Sequence, residues 1–142
     1  SILGLDGSQK MSKSRGNAIF LCSTEDETAS LIKKAKTDSE RVITYDPENR
    51  PEVANLLMLI SLCTKEEPAA IAERIGEKGS GELKKVLAEA LNEELRPLRQ
   101  KRAELEKNPD YIRKVLLDGV EKARAIAIKT LDEVREAMNM KI

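Results

Sequence analysis

The sequence has no histidine, and aromatic residues make up only 2% of its 142 positions. The missing histidine excludes Ser/His/Asp and Cys/His nucleophile arrangements, together with every metal site that uses an imidazole ligand. With so few aromatic residues, the core has to be built from Leu, Ile, Val and Ala. That composition favours packed helices over a β-sandwich or barrel, which would use more aromatic and β-branched residues.

Cysteine is scarce as well. Cys22 and Cys63 form no CxxC pair, and each lies in an apolar run where a thiol is expected to be buried as a small hydrophobe. This usage fits a reducing, cytoplasmic compartment and predicts no protein-bound metal. No run of about 18 apolar residues and no charged leader is present, so neither a membrane span nor secretion is predicted.

Neither sign of charge is in excess, because 25 basic residues balance 25 acidic ones. The chain as a whole therefore creates no field that would attract nucleic acid or a membrane surface. Any nucleic-acid binding has to come from a local basic patch.

Apolar spacing predicts an all-α fold, a bundle of about five helices preceded by an extended loop with at most a short strand. Short strands are considered at Ile2–Leu3 and Ala18–Leu21. The last helix has the most regular apolar spacing, and Pro97 is expected to kink the helix before it. The predicted helices begin near Thr24, Pro51, Pro68, Glu82 and Pro109.

Two regions are predicted from this pattern. Residues 1–23 form a loop segment, and residues 24–142 form a helical domain. Because the chain opens on an apolar pair that leads into a long polar loop, we expect the natural protein to extend further back.

The most specific motif is Lys10-Met11-Ser12-Lys13-Ser14, which lies in a loop rich in Gly and Ser. Two lysines three residues apart can place two ammonium groups on one polyphosphate, while serine hydroxyls and backbone amides supply further donors. Cations at that point stabilise the charge that builds on a departing pyrophosphate without needing a general base.

This pentapeptide resembles the KMSKS signature of class I aminoacyl-tRNA synthetases. The resemblance implies that Lys10 and Lys13 are the catalytic residues, with Lys13 the more important. It further implies that all five residues of the motif contact ATP, Met11 and Ser12 through the backbone, and that Ser14 braces the loop. Asp6 and Gly7 are expected to shape the approach to the loop.

Downstream segments narrow the resemblance. The run AKTDSERVITYDPENRPEVANLLMLISLCT, residues 35–64, is similar to the stretch that follows the loop in bacterial-type tryptophanyl-tRNA synthetases, and the tail KARAIAIKTLDEVREAM also resembles that family. The resemblance implies ATP with Mg²⁺ as substrate, and tryptophan and tRNA(Trp) as partners. It also implies that residues 1–23 are a remnant of the class I catalytic domain and that residues 24–142 are the helical tRNA- and anticodon-binding domain. The full-length enzyme is then a homodimer whose HIGH-type motif and tryptophan pocket lie in a missing amino-terminal domain. The present chain alone is expected to be inactive and monomeric or weakly associated.

Alternatives remain at this stage. The chain could belong to a tyrosyl or another class I enzyme, or it could be a non-enzymatic helical tRNA-binding module with a merely solvated loop. Candidate tRNA contacts lie around Pro97, although a solvated face is the competing interpretation. The candidate tRNA contacts are Arg96, Arg99, Lys101 and Arg102.

For Thr37-Asp38-Ser39 and Asp46, local capping is favoured over ligand binding.

Overall fold

The computed structural model describes residues 2–140, and within that range it confirms the all-α class. A short turn of 3₁₀-helix at Gly76–Lys78 separates the third helix from the fourth. The α-helices are α1 (Glu25–Lys33), α2 (Pro51–Thr64), α3 (Pro68–Ile75), α4 (Gly79–Glu106) and α5 (Pro109–Ala137).

Helix α1 begins with a capping box at Thr24, where the sequence predicts a helix start. The Thr24 hydroxyl accepts from the Glu27 amide at 3.2 Å, and the Glu27 carboxylate accepts from the Thr24 amide at 2.8 Å. Two amides at the helix start that have no intrahelical partner are thereby satisfied.

We expect Thr24→Ala to lower the free energy of unfolding by about 1 kcal/mol, the usual worth of an N-cap hydroxyl. Urea unfolding followed by circular dichroism measures this. Thr24→Ser is the matched control, because it keeps the hydroxyl and should remain close to the unsubstituted protein. Equal losses for the two variants would contradict the assignment.

Helix α2 is the centre of the core, as its apolar circumference predicts. Pro51 occupies its first turn, where no amide is needed. Its buried side chains pack with residues from α1, α3 and α4, and each fully buried Leu or Ile contributes about 1.5–3 kcal/mol through apolar burial. The fully buried aliphatic side chains are Ile32, Val53, Leu56, Leu57, Ile60, Ile71, Leu83 and Leu87.

The predicted strand at Ala18–Leu21 is wrong. Within residues 2–140, extended pairing is limited to one isolated antiparallel bridge between Leu3 and Lys10. Cys22, predicted to be buried, is exposed, because a turn rather than a strand carries it past the core. Cys63 is half-buried, and this burial raises the pKa of its thiol.

The chain divides into two compact units, the first ending at Arg99 and the second beginning at Gln100. Helix α5 lies in the second unit and has no buried residue. Its apolar stripe, which sequence periodicity assigns to a bundle core, is exposed: Leu116 is 64% exposed and Ile126 is 71% exposed. The second unit lacks the facing helices that would bury this stripe, since its described part holds only α5 and the end of α4.

Helix α4 continues through Pro97 without interruption. The proline ring removes one backbone hydrogen bond from the helix interior. Among residues 2–140, none of the helices is long and apolar enough to cross a membrane.

Candidate functional site

The segment before the lysine motif is a small hairpin. Leu3 bridges Lys10, the Gly4 amide donates to the Gln9 carbonyl at 2.8 Å, and the Met11 amide donates to the Ile2 carbonyl at 3.0 Å. These bonds place Lys10 on the returning arm of the hairpin. The loop is therefore a folded element with a defined entry.

The turn of this hairpin depends on Asp6 and Gly7, as predicted. Asp6 accepts hydrogen bonds from the Ser8 amide and hydroxyl, at 3.2 and 2.9 Å. The Ser8 amide has the largest effect in lowering the pKa of Asp6. Gly7 has a φ of +71°, and a Cβ at this position would lie 2.5 Å from Cγ of Glu52, so only glycine fits without strain.

The two lysines of the motif carry free ammonium groups. Lys10 and Lys13 are exposed, and neither side chain has a hydrogen bond or ion pair within residues 2–140. Lys13–Arg15 forms a turn of 3₁₀-helix that closes at Gly16, whose φ is +67° and whose amide donates to the Lys13 carbonyl. The Arg15 guanidinium is engaged by the side chain of Gln9. Two of the three cations in this turn region thus remain available to a ligand.

The other motif residues face inward or toward one another. Met11 is partly buried against the core, and the hydroxyls of Ser12 and Ser14 lie 3.0 Å apart. The Met11 amide is already bonded to Ile2, and the Ser12 amide to Asn17. In this conformation, the Met11 and Ser12 amides are therefore occupied within the fold and are not available as donors to a nucleotide.

Asn17 and Asn55 are structural residues that sequence reasoning missed. The Asn17 side chain accepts from the Ser12 amide at 2.8 Å and donates to Asp6 Oδ1 at 3.1 Å. Asn55, on α2, pairs with both the amide and the carbonyl of Leu3, at 2.9 and 3.1 Å. A lone amide inside the apolar run of α2 was the available signal for Asn55.

The segment Thr37-Asp38-Ser39 has the local capping role that its sequence favours. Asp38 forms an ion pair in addition. Asp38 accepts from the Glu40 amide at 3.0 Å and receives both Nε and Nη2 of Arg50 at 2.7 Å. Arg50 also donates to the Val42 carbonyl and the Thr44 hydroxyl. Its hydrogen bonds to Asp38 lower the pKa of that carboxyl.

Asp46 likewise has local partners. It accepts from the Glu48 amide at 3.2 Å and from the amide and side chain of Asn49 at 3.1 and 2.8 Å. These hydrogen bonds lower its pKa, with the Asn49 side chain giving the largest effect.

The basic cluster near Pro97 is engaged within the fold. Arg99 donates to the Ser23 carbonyl at 2.8 Å and to the Thr28 hydroxyl at 2.9 Å, so it ties α4 to the start of α1. The other three candidates form ion pairs on their own helix: Arg96 with Glu93, Lys101 with Glu104 and Arg102 with Glu106. All four candidates for tRNA contact therefore have partners within the protein.

A different group of lysines borders a groove between α1 and α4. Its volume is about 440 Å³, and its apolar floor includes Ala29 and Ala88. Lys33, Lys84 and Lys85 line it and have no ion pair among residues 2–140, although Lys84 donates to the Lys33 carbonyl at 3.4 Å. Within residues 2–140, no group of three His, Cys, Asp or Glu side chains could hold a metal ion.

Comparison with known proteins agrees with this geometry. Residues 2–96 match the family described as tRNA synthetases class I (W and Y). The chain belongs to this family. The match includes the hairpin, the lysine motif and the first three helices of the class I synthetase chain.

Similar curated proteins are tryptophan--tRNA ligases. Tryptophan--tRNA ligase 1 of Streptomyces coelicolor is 42% identical over 122 residues, which cover 86% of this chain and 36% of the relative. The enzyme of Aquifex aeolicus is 41% identical over 143 residues, covering 98% of this chain and 36% of the relative. The synthetase chain thus spans little more than a third of the length of these relatives.

Solved structures show the same likeness. Tryptophanyl-tRNA synthetase from Campylobacter jejuni, complexed with ADP and tryptophan, is 29% identical, with a TM-score of 0.78. The alignment covers 97% of this chain and 43% of that one. The helical architecture is therefore shared over almost the whole length of the present chain.

Proposed function

We propose that this chain is the carboxy-terminal part of a tryptophan--tRNA ligase. Residues 1–23 are the KMSKS segment of its catalytic domain, and residues 24–142 are its tRNA-binding helices. The observation that carries the proposal is that the ammonium groups of Lys10 and Lys13, on a folded and anchored loop, are exposed and have no partner within residues 2–140. The tryptophan--tRNA ligases among its relatives support it further.

The proposed chemistry is adenylation followed by transfer. The tryptophan carboxylate attacks the α-phosphorus of ATP, which comes with Mg²⁺; a new P–O bond forms and the bond to the β-phosphate oxygen breaks. Pyrophosphate leaves with the electron pair of that bond. A ribose hydroxyl of tRNA(Trp) then attacks the carbonyl carbon of the adenylate; an ester bond forms, the acyl–phosphate bond breaks, AMP leaves, and the hydroxyl proton is released. Lys10 and Lys13 stabilise the charge that develops on the leaving group.

The proposed nucleotide contacts follow the exposed part of the motif. Lys10 and Lys13 meet the phosphates, and Ser14 braces the turn through its contact with Ser12. Met11 holds the loop to the core through its partly buried side chain. The tryptophan pocket and the surface for homodimer formation belong to the remainder of the full-length enzyme, so the isolated chain is inactive and monomeric or weakly associated.

The tRNA partner is proposed to meet lysines rather than the arginine cluster. Lys33, Lys84 and Lys85 border one groove and have no ion pair in the part of the chain that the structure describes, whereas the arginines near Pro97 form ion pairs or join helices. Phosphate contacts supply most of the salt-dependent affinity for nucleic acid. Unpaired lysines avoid the cost of breaking an existing ion pair.

Amino-acid-dependent ATP–pyrophosphate exchange by the full-length protein tests this function. We expect exchange that requires tryptophan and that tyrosine does not support at the same concentration. Exchange with tyrosine alone would move the assignment to the tyrosyl enzyme. No exchange with any amino acid would favour a non-enzymatic helical tRNA-binding module.

A further inference from the structure

Asn17 joins the 3₁₀ turn Lys13–Arg15, called the lysine turn below, to the hairpin before it. This residue is 5% exposed, and both ends of its amide have partners. Its Oδ1 accepts from the Ser12 amide at 2.8 Å, and its Nδ2 donates to Asp6 Oδ1 at 3.1 Å. Its backbone carbonyl accepts from the Leu5 amide at 2.9 Å. One buried residue thus links the start of the turn, the tip of the hairpin and the outgoing chain.

The hydrogen bond from Ser12 to Asn17 closes the segment that carries Lys13. Ser12 directly precedes the 3₁₀ turn Lys13–Arg15, and Gly16 ends it. The start of this short excursion is therefore held by the Asn17 side chain, and its end is joined to Asn17 by the peptide bond from Gly16. Lys13 cannot shift its backbone far without breaking that hydrogen bond.

The hairpin side of this link is fixed to the helical core. Asn55 of α2 pairs with both backbone groups of Leu3, and the Leu5 carbonyl accepts from the Lys36 amide at 2.7 Å. A Cβ at Gly4 would lie 2.1 Å from Nδ2 of Asn17, so glycine is needed for the amide to approach the hairpin. The position of the lysine turn is thereby set by the core through Asn17.

We propose that Asn17 is a positioning residue for Lys13 in adenylation, a role that rests on the proposed function. Asn17 acts through the Ser12 amide and does not itself contact the nucleotide. Without it, Lys13 keeps its charge but loses its fixed place relative to the leaving pyrophosphate. Misplacing a catalytic group by about 1 Å can cost about 100-fold in rate.

Tryptophan-dependent ATP–pyrophosphate exchange by full-length Asn17→Ala tests the proposal. We expect kcat to fall about 10- to 100-fold, while KM for tryptophan stays unchanged, because the amino acid is bound elsewhere. Thr24→Ala is the control: it removes a capping hydrogen bond a few residues along the chain and should keep the kcat of the unsubstituted enzyme.

A double-variant cycle separates positioning from general stability. If Asn17 acts by way of Lys13, then adding Asn17→Ala to Lys13→Ala lowers kcat no further. A purely structural role would reduce kcat by the same factor in both backgrounds, and that result would overturn the proposal.

A donor–acceptor exchange covers the case in which Asn17→Ala fails to fold. Asn17→Asp keeps the acceptor for Ser12 but faces the Asp6 carboxylate, and adding Asp6→Asn restores a donor between the two positions. We expect the second change to recover at least half of the lost kcat. Failure of that recovery, or unchanged kcat in Asn17→Ala, would overturn the positioning role.

Exchange lost in Lys13→Ala but kept in Asn17→Ala would leave the proposed function standing and overturn only the positioning role. An unsubstituted full-length protein without tryptophan-dependent exchange would contradict both proposals.

Discussion

Replacing Lys13 with alanine is expected to lower kcat for tryptophan-dependent ATP–pyrophosphate exchange by about 100- to 1,000-fold. Removing one preformed donor to a charge that develops in the transition state has an effect of this size. Because the charge on the leaving pyrophosphate grows only as the bond breaks, kcat should fall while KM for tryptophan changes little.

Stability should not change in this variant. The Lys13 side chain is exposed and has no partner within residues 2–140, so its loss removes no contact of the fold. Lys34→Ala is the matched control, since Lys34 is also an exposed lysine without an ion pair but lies outside the loop. A variant Lys13→Ala with undiminished exchange, or one as active as Lys34→Ala, would remove Lys13 from the mechanism.

The second large effect is expected on stability, from Arg50→Ala. Arg50 holds the connector between α1 and α2 together through Asp38, the Val42 carbonyl and the Thr44 hydroxyl. The Arg50 and Asp38 side chains are 11% and 29% exposed, so removing the guanidinium leaves a largely enclosed carboxylate without its partner. Allowing for the exposed part of Asp38, we expect a loss of about 2–3 kcal/mol in the free energy of unfolding.

Arg74→Ala provides the comparison for this measurement. Its ion pair with Glu66 is about half exposed on both sides, with an N–O distance of 3.2 Å. Such a pair contributes about 0–1 kcal/mol. Urea unfolding should therefore separate the two arginine variants clearly, and equal losses would contradict the structural role given to Arg50.

At acid pH, the difference in free energy of unfolding between Arg50→Ala and the unsubstituted protein should become smaller. Hydrogen bonds from Arg50 lower the pKa of Asp38 in the folded state below the value of about 3.9 that is usual for an unfolded chain. The stabilisation is then fully present above the unfolded pKa and is lost as pH falls through the folded one. Urea unfolding at a series of pH values below about 5 measures this, and a difference that stays constant would exclude Asp38 as the partner that matters.

Local patterns predicted the helices well. The capping box at Thr24, the prolines at Pro51 and Pro109 and the regular apolar spacing define helix starts through nearest-neighbour chemistry, which a sequence displays directly. The all-α class followed from the same signals.

Contacts between distant residues could not be predicted in this way. The pairing of Asn55 with Leu3 spans 52 positions, and that of Arg99 with Thr28 spans 71. Charge alone makes Arg99 resemble a surface residue, because its polar partners become visible only once α4 lies beside α1. The prediction that the apolar stripe on α5 lies in a bundle core was wrong for the opposite reason. Periodicity shows that a face is apolar but not which element covers it.

The candidate site shows the same division. The spacing of Lys10 and Lys13 indicated a polyphosphate ligand from sequence alone, and the structure adds that neither ammonium group has a partner among the described residues, 2–140. The anchoring by Asn17 and Asn55 was not visible, since a single asparagine in a loop or helix has no pattern of its own.

Single-turnover kinetics of the full-length protein measure the two half-reactions separately and thus test the role of the lysines most directly. In Lys13→Ala, we predict slow formation of tryptophanyl-adenylate from ATP. Transfer of tryptophan to tRNA from adenylate that has already formed should proceed at the rate of the unsubstituted protein, because pyrophosphate has left by then. Adenylate formation at the unsubstituted rate, with only the transfer slowed, would contradict the account.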